Sequence, residues 1–484
     1  VTRAEIINMY IYIFEYHMTN RDLSMDISPP QPRGVPPQPR GTPHPISHKD
    51  KKRLKVKQIC PNADYCLSYG IKSDEIRDIF GDYTDLSQVV EVKTIGAQSA
   101  NGFIKKFIFQ KMISPGHLYE SSAIFKSVQN HPGVDNLYYE YFVGIFINYL
   151  CVLFPIFVRT YGMFTYNDDN AYMEMQKLTM TTKNAQSGNW LKNNLSLVHG
   201  KTVIKQPQQS EIRYACSKRE RFALLTEYET HAVSLDSLLT DIHFVQYDLY
   251  PLCYVIYGIL NTIRDNFTHY DLHTGNVLLI PCADPNGIFQ YTLHLYEGTK
   301  QTEIINLYSR YVPKIIDYGR CYFSFRNNSS QKLYESLCKV DHDCCLGSGF
   351  WLNPPNPIVT HYINSSVRNI SHDLRLMRII SKKMVATGLA NHHMKNINDK
   401  IIYATDYGTP ENLTPYSQDQ MIHNIYDMMS YLKNLHKVDK SNFPTFPDNF
   451  TVYGKFDIHL TTASDALSSY IAHDFHDTSI IPVP

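Results

Sequence analysis

His269-Tyr270-Asp271-Leu272-His273-Thr274-Gly275-Asn276, followed downstream by the apolar pair Ile315-Ile316 and then Asp317-Tyr318-Gly319, is the stretch that decides how this sequence is read. It supplies two carboxylates and an amide in the order and local spacing that phosphoryl transfer from ATP requires. Asp271 is placed to orient an acceptor hydroxyl, because an ionised carboxylate on a short rigid loop does so without reorganising. Asn276 offers a neutral oxygen to a magnesium ion while its amide can tie down the loop, and Asp317 supplies a charged oxygen to the metal against the phosphates. Ile315-Ile316 fits a buried strand that ends at Asp317. ATP and Mg2+ are the expected cofactors. The alternative reading of Asp271 is a loop-capping aspartate, and the Asp271-to-Asn276 spacing taken alone recurs by chance.

Moving outward, Val89-Val-Glu-Val92 starts a strand pattern, with Gly96 and Gly102 bracketing the turn before Phe103–Phe109. A Ser-Pro-Gly turn at 114 to 116 leads to a third strand ending in Ala123-Ile-Phe-Lys126, which completes a three-stranded meander. Lys72 to Phe80 and Asn136 to Leu150 carry helical apolar recurrences, the second with Glu140 on it. Phe154-Pro-Ile-Phe-Val158 reads as the next strand, 167–217 as a polar insertion, and Phe222-Ala-Leu-Leu225 as another buried strand. Beyond Glu229, Val245 to Ile263, Leu374 to Met384 and Met421 to Leu432 repeat apolar residues every three to four positions, so the second half reads as mainly helical. The long interval from Asn276 to Asp317 reads as an inserted hairpin away from the phosphates.

At 484 residues and 43% hydrophobic, the chain can hold a two-lobed catalytic unit with appended segments. Its 46 basic and 46 acidic residues cancel, giving no bulk electrostatic reason to expect nucleic-acid or anionic-membrane binding. Residues 1–58 read as a disordered extension. Within it, Pro-Pro-Gln-Pro-Arg-Gly occurs at 29–34 and again at 36–41, and His48 to Lys57 is a basic linker, or alternatively a nuclear address or phosphate-binding arm. The apolar run Ile6 to Met18 is too short to span a bilayer and is interrupted by Glu15 and His17. The ten cysteines include no C-x-x-C pair; separate reduced thiols are expected rather than a zinc site around Cys338 and Asp341-His342-Asp343-Cys344-Cys345. A soluble intracellular protein is expected. The chain opens on Val1, as a fragment or processed form would.

The ordered set of glycine-bearing turn, Lys126, helical Glu140, Phe222 to Glu229, His-x-Asp-Leu-x-x-x-Asn and Asp-Tyr-Gly resembles the eukaryotic-type protein kinase fold from about Val89 to the carboxyl end. More narrowly, Asn136-Leu-Tyr-Tyr-Glu140-Tyr, Phe154-Pro with Tyr161-Gly162, and Ser371-His-Asp373-Leu-Arg-Leu resemble the serine/threonine kinases of giant DNA viruses. The resemblance implies an α+β, bilobal architecture: a small mainly-β N-lobe over 59–230 and a larger mainly-α C-lobe over 231–484. It also implies a protein substrate and a viral origin, with host cytoplasm or virion as location. Lys126 would neutralise the α- and β-phosphates with Glu140 holding its ammonium, Lys111 and Glu120 being the competitors. Gly96 and Gly102 would bring backbone toward phosphate, although a full G-x-G-x-x-G is lacking. Glu227 to Glu229 would form the hinge at the adenine, and Asp373 would brace the catalytic loop.

Three departures bear on function. His273 joins Asp271 and Asn276 in the catalytic set where serine/threonine kinases usually carry lysine, and histidine there resembles aminoglycoside, choline and lipopolysaccharide kinases. A small-molecule kinase is therefore the alternative, with a catalytically silent scaffold as a third reading because no Ala-Pro-Glu closes the segment before Asp373. Tyr270 replaces the arginine that clamps an activating phosphate, so activity is expected not to require phosphorylation between Asp317 and Asp373, for example at Ser324, Ser329 or Ser330.

Overall fold

The structure, a computed structural model, describes residues 47–461 except 96–101, 130–136, 179–185, 200–220, 299, 326–327, 338–349, 353–360, 403–419, 444–445 and 448. Helix begins earlier than the sequence implies. His48 to Lys57 is not a linker but most of α1 (His48–Ile59), for which Ser47 is the N-cap, its hydroxyl accepting from the Asp50 amide. Lysine and arginine are good helix formers. Val56 buries in the core, and Lys57 Nζ donates to the Leu118 carbonyl, so the carboxyl end of the run is docked. Next come α2 (Ala63–Ser68) and α3 (Ser73–Phe80). A disulfide joins Cys60 to Cys66, which corrects the expectation of separate thiols for that pair. Cys338, Cys344 and Cys345 lie outside the described residues.

Strands β1 (Val89–Thr94), β2 (Gly102–Ser114) and β3 (His117–Gln129) form the expected meander. After α4 (Leu137–Leu153), β4 (Thr160–Tyr166), α5 (Asp169–Lys177), α6 (Gln186–Asn194), β5 (Leu195–His199) and β6 (Arg221–Glu227), one antiparallel sheet results in the order β1-β2-β3-β6-β4-β5. Alternation sets its two faces. Phe107 stacks on Phe125 in a core with Phe80 and Tyr83, whereas Lys126, one residue on, points to the other face. In the described part of 167–217, β5 pairs with β4 at the edge of this sheet. Phe154 to Val158 is not a strand. Pro155 breaks the ladder, and Phe154, Ile156, Phe157 and Val158 bury as a connector whose Ile156 carbonyl accepts from the Ile315 amide. A short continuous apolar run does not distinguish these outcomes.

α4 is set tightly against β4. A Cβ on Gly144 would lie 2.1 Å from Thr160 Oγ1, so only glycine permits this approach. Asn148 then locks it, donating to the Thr160 carbonyl and accepting from the Thr160 amide.

Beyond β6, short β7 (Val233–Ser234) and α7 (Leu235–Leu238) precede α8 (Ile242–Tyr247) and the fully buried α9 (Leu249–Thr262). The chain continues through β8 (Phe267–Thr268), β9 (Val277–Pro281), β10 (Gly287–Glu297), β11 (Lys300–Ser309) and β12 (Tyr311–Ile315). It then forms β13 (Tyr322–Phe325), β14 (Asn328–Ser329), α10 (Ser330–Leu337), β15 (Phe350–Leu352) and β16 (His361–Ile363). Last come α11 (Arg375–Ala386), α12 (His392–Lys400), α13 (Ile425–Val438) and β17 (Thr451–Thr461). The predicted hairpin is β10–β11, but β17 pairs parallel with β10 to make a three-stranded sheet. Its inner face, including Tyr291, Leu293, Leu307 and Ile458, joins the core around α9. The second half is thus mixed rather than mainly helical, because Gly287–Glu297 and Thr451–Thr461 bury alternate residues. Among the described residues, no helix is long and apolar enough to cross a membrane.

Candidate active site

The loop after β8 is held from three sides. Asp373, buried just before α11, accepts from the His269 amide at 2.8 Å and the Tyr270 amide at 3.1 Å. Burial pushes its carboxyl up to about 7, opposed by those two N–H groups. This fixes Tyr270 at φ 63°, a left-handed conformation costly for a bulky residue, while its hydroxyl donates to the Val367 carbonyl. His269 is fully buried, and burial lowers its pKa to about 4. The neutral ring donates from Nε2 to the Ile316 carbonyl at 3.0 Å and accepts at Nδ1 from the Asp271 amide. Ile316 in turn donates its amide to the Asn276 carbonyl, so the His269–Asn276 loop and the residue before Asp317 are bonded twice.

Within that frame, Asn276 Nδ2 donates to the Asp271 carbonyl at 3.0 Å, which leaves its Oδ1 available as a ligand. Lys126 Nζ contacts Glu140 Oε2 at 2.9 Å and Asp317 Oδ1 at 2.7 Å, joining β3, α4 and the end of β12 across 191 residues of sequence. Asp317 is also left-handed, at φ 71°. Burial works to raise its pKa, but the Lys126 ammonium outweighs it and holds the carboxyl below its ordinary range. The competitors lie elsewhere: Glu120 accepts from Gln110 on the strand surface, and Lys111 is felt by Asp85.

Asp271 is flanked by cations. Arg320 Nη1 lies 3.2 Å from Oδ2 and Arg375 Nη1 2.5 Å from Oδ1. Burial would raise this carboxyl, and the two guanidinium groups bring it below the usual value. His273 Nδ1 accepts from the Gly275 amide, and Nε2 lies 4.0 Å from Asp271 Oδ1; burial lowers the pKa of this ring as well.

The hinge and glycine positions behave differently. Glu227 and Glu229 turn their carboxylates into the interior: Glu227 Oε2 accepts from the Arg159 amide, and Glu229, raised to about 7 by burial, faces Lys314 at 3.5 Å. The Glu227 amide already donates to the Arg159 carbonyl. Gly96 lies outside the described residues. At Gly102, a Cβ would meet the Ser127 carbonyl at 2.1 Å, so glycine there is required by the close approach of β2 to β3.

No family model matches the chain, and no curated protein matches it in sequence. Among solved structures, "WaaP in complex with acyl carrier protein" is similar over 65% of this chain and 90% of that one, at 10% identity and a TM-score of 0.23. At that score the likeness carries no argument here.

The reading of the sequence passed over Arg375 as a site residue. One signal was present: it is the first residue of α11, where the helix dipole disfavours a cation. Arginine there implies a compensating anion nearby, and Asp271 is that anion. Among the serines considered as phosphate acceptors, Ser330 is buried and bonded to the Phe323 amide and the Tyr139 hydroxyl, so a phosphate there requires local unpacking.

Proposed function

We propose that this protein is an ATP- and magnesium-dependent phosphotransferase with a two-lobed protein-kinase architecture, acting on serine or threonine hydroxyls of a protein. The observation that carries the reading is Lys126, paired with both Glu140 and Asp317 beside a loop that presents Asp271 and Asn276. Lys126 binds the α- and β-phosphates, and Glu140 keeps its ammonium in place. Asp317 and Asn276, through its Oδ1, would hold the magnesium ion. Magnesium takes one or two protein oxygens together with phosphate oxygens, so the donor set fits although no group of three or more His, Cys, Asp or Glu side chains suited to a metal occurs among the described residues. When bound, the ion neutralises charge on the phosphates. Asp271 orients the acceptor hydroxyl and takes its proton.

The test is transfer of label from γ-labelled ATP with magnesium to casein, compared with sugars and aminoglycosides as acceptors. Transfer to casein that disappears in Asp317→Asn is expected. Labelling of the small molecules alone would instead support the alternative that His273 raised.

A further inference from the structure

α2 precedes the kinase-like order of motifs, which begins at about Val89, yet its contacts follow residues 227–231, where the chain leaves β6. β6 pairs with β3 only as far as Glu227, opposite Ala123. One residue before Ala123, the Ser122 amide donates to Asp64 Oδ1 at 2.7 Å, and the Ser121 hydroxyl donates to the same oxygen at 3.0 Å. A carboxylate of α2 thus stands where the neighbouring strand stops. Asp64 Oδ2 lies 4.0 Å from Lys106 Nζ, which sits 3.5 Å from the centre of the Tyr228 ring. Farther along, the Tyr65 ring stacks on His231 at 5.5 Å, and the buried Ser68 hydroxyl accepts from the Thr230 amide. His231 is left-handed at φ 52°, a conformation that surrounding contacts must hold. The helix ends at Tyr69, whose hydroxyl donates to the Pro281 carbonyl at 2.7 Å while its ring packs on Phe289. Before Asp64, the Cys60–Cys66 disulfide closes the turn, and the Cys60 carbonyl accepts from the Tyr119 hydroxyl at 2.6 Å.

One short helix therefore ties β3, which carries Lys126, to β9, which follows Asn276, and does so alongside the single stretch of backbone that leads from β6 to β7. We propose that Asp64, Ser68 and Tyr69 form a splint that fixes the spacing between β3 and β9, and so act as positioning residues for the nucleotide. The inference rests on the phosphotransferase reading above. A nucleotide that must reach Lys126 on one side and Asn276 on the other binds only the arrangements with the right spacing. Its apparent affinity falls in proportion to the fraction of molecules that hold that spacing. Once ATP is bound, its own contacts keep the two sides together, so loss of the splint should weaken binding more than turnover.

The experiment measures ATP affinity with magnesium, and transfer to casein at saturating ATP, for the full chain as wild type, Asp64→Ala, Tyr69→Phe and the double variant. Each single variant is expected to bind ATP about tenfold more weakly, as when the competent spacing falls to about one tenth of molecules, while kcat stays within about twofold. The double variant should bind ATP no more weakly than the weaker single variant, because detaching either end already frees the spacing. Stability losses in urea unfolding should instead add, since the two contacts share no partner. A merely structural role would lower stability and leave the affinity of the folded protein unchanged. Should Asp64→Ala fail to fold, Tyr69→Phe alone decides by the same comparison of affinity with turnover. Unchanged ATP affinity in the folded variants, a fall in kcat without a fall in affinity, or affinity losses that multiply in the double variant would overturn the proposal. Each of those outcomes leaves the phosphotransferase reading standing. Absence of magnesium-dependent ATP binding by the wild type would remove both.

Discussion

Replacing Lys126 by methionine keeps the aliphatic stem but removes the charge that Glu140 and Asp317 share. Glu140 is 5% exposed and Asp317 31%, so the two carboxylates respond differently. Removing one partner of a buried ion pair costs about 3–5 kcal/mol. Here water can reach Asp317, and Lys126 itself is 21% exposed, which reduces the expected loss to about 2 kcal/mol. Transfer should fall more steeply, by ~10²-fold or more, because a preorganised cation at the phosphates is lost. Urea unfolding measures the first quantity and initial rates of phosphoryl transfer the second. The pH dependence supplies a further check. Asp317 is held below its ordinary value of 3.8, so its contribution to stability is present above that pH and is lost as pH falls through the lowered folded value. The stability gap between wild type and Lys126→Met should therefore be full at pH 7 and narrow below about pH 4. Lys111→Met is the control and should leave both quantities nearly unchanged. Equal losses in the two variants would refute the assignment of Lys126.

Further outcomes are expected from the frame around the site. Asp373→Asn should lower turnover by loosening Tyr270; because burial raises the Asp373 carboxyl to about 7, wild type loses stability as pH rises from its unfolded value toward 7, so the penalty of this variant in urea unfolding should shrink over that interval. His269 is held neutral with a pKa of about 4, so wild type loses stability as pH falls from 6.5 toward 4, and His269→Asn should flatten that limb of the unfolding profile. Gly144→Ala must push α4 away from Thr160, costing about 1–3 kcal/mol and moving Glu140, which thermal unfolding and ATP affinity would both register. Phosphatase treatment followed by mass spectrometry of residues 317–373 should leave turnover intact; loss of activity tracking one phosphate would show that a basic group has taken over the clamp that Tyr270 lacks.

What the sequence made legible was what local order specifies. The spacing from His269 to Asn276, the apolar approach to Asp317 and the three-stranded meander that carries Lys126 are all short-range, and each reappears in the structure. The bracing role expected of Asp373 is also visible, as bonds to the His269 and Tyr270 amides. What escaped depends on contacts distant in sequence. β17 becomes a strand beside β10 only because the hairpin offers it an edge. Phe154 to Val158 has strand composition but meets Ile315 through one bridge rather than a ladder. The charged run of α1 reads as linker until Val56 and Lys57 meet the sheet. Arg320 and Arg375 lie 49 and 104 residues from Asp271, and nothing local in the sequence shows that both converge on one carboxylate.

The central claim is tested most directly by single-turnover transfer from γ-labelled ATP to casein with magnesium, using wild type, Asp271→Asn and Asp317→Asn with nucleotide binding measured in parallel. The account predicts that Asp317→Asn abolishes transfer through loss of a charged magnesium ligand, and that Asp271→Asn binds ATP nearly normally while transfer falls sharply. Near-normal transfer in Asp271→Asn, or no magnesium-dependent ATP binding by the wild type, would contradict it.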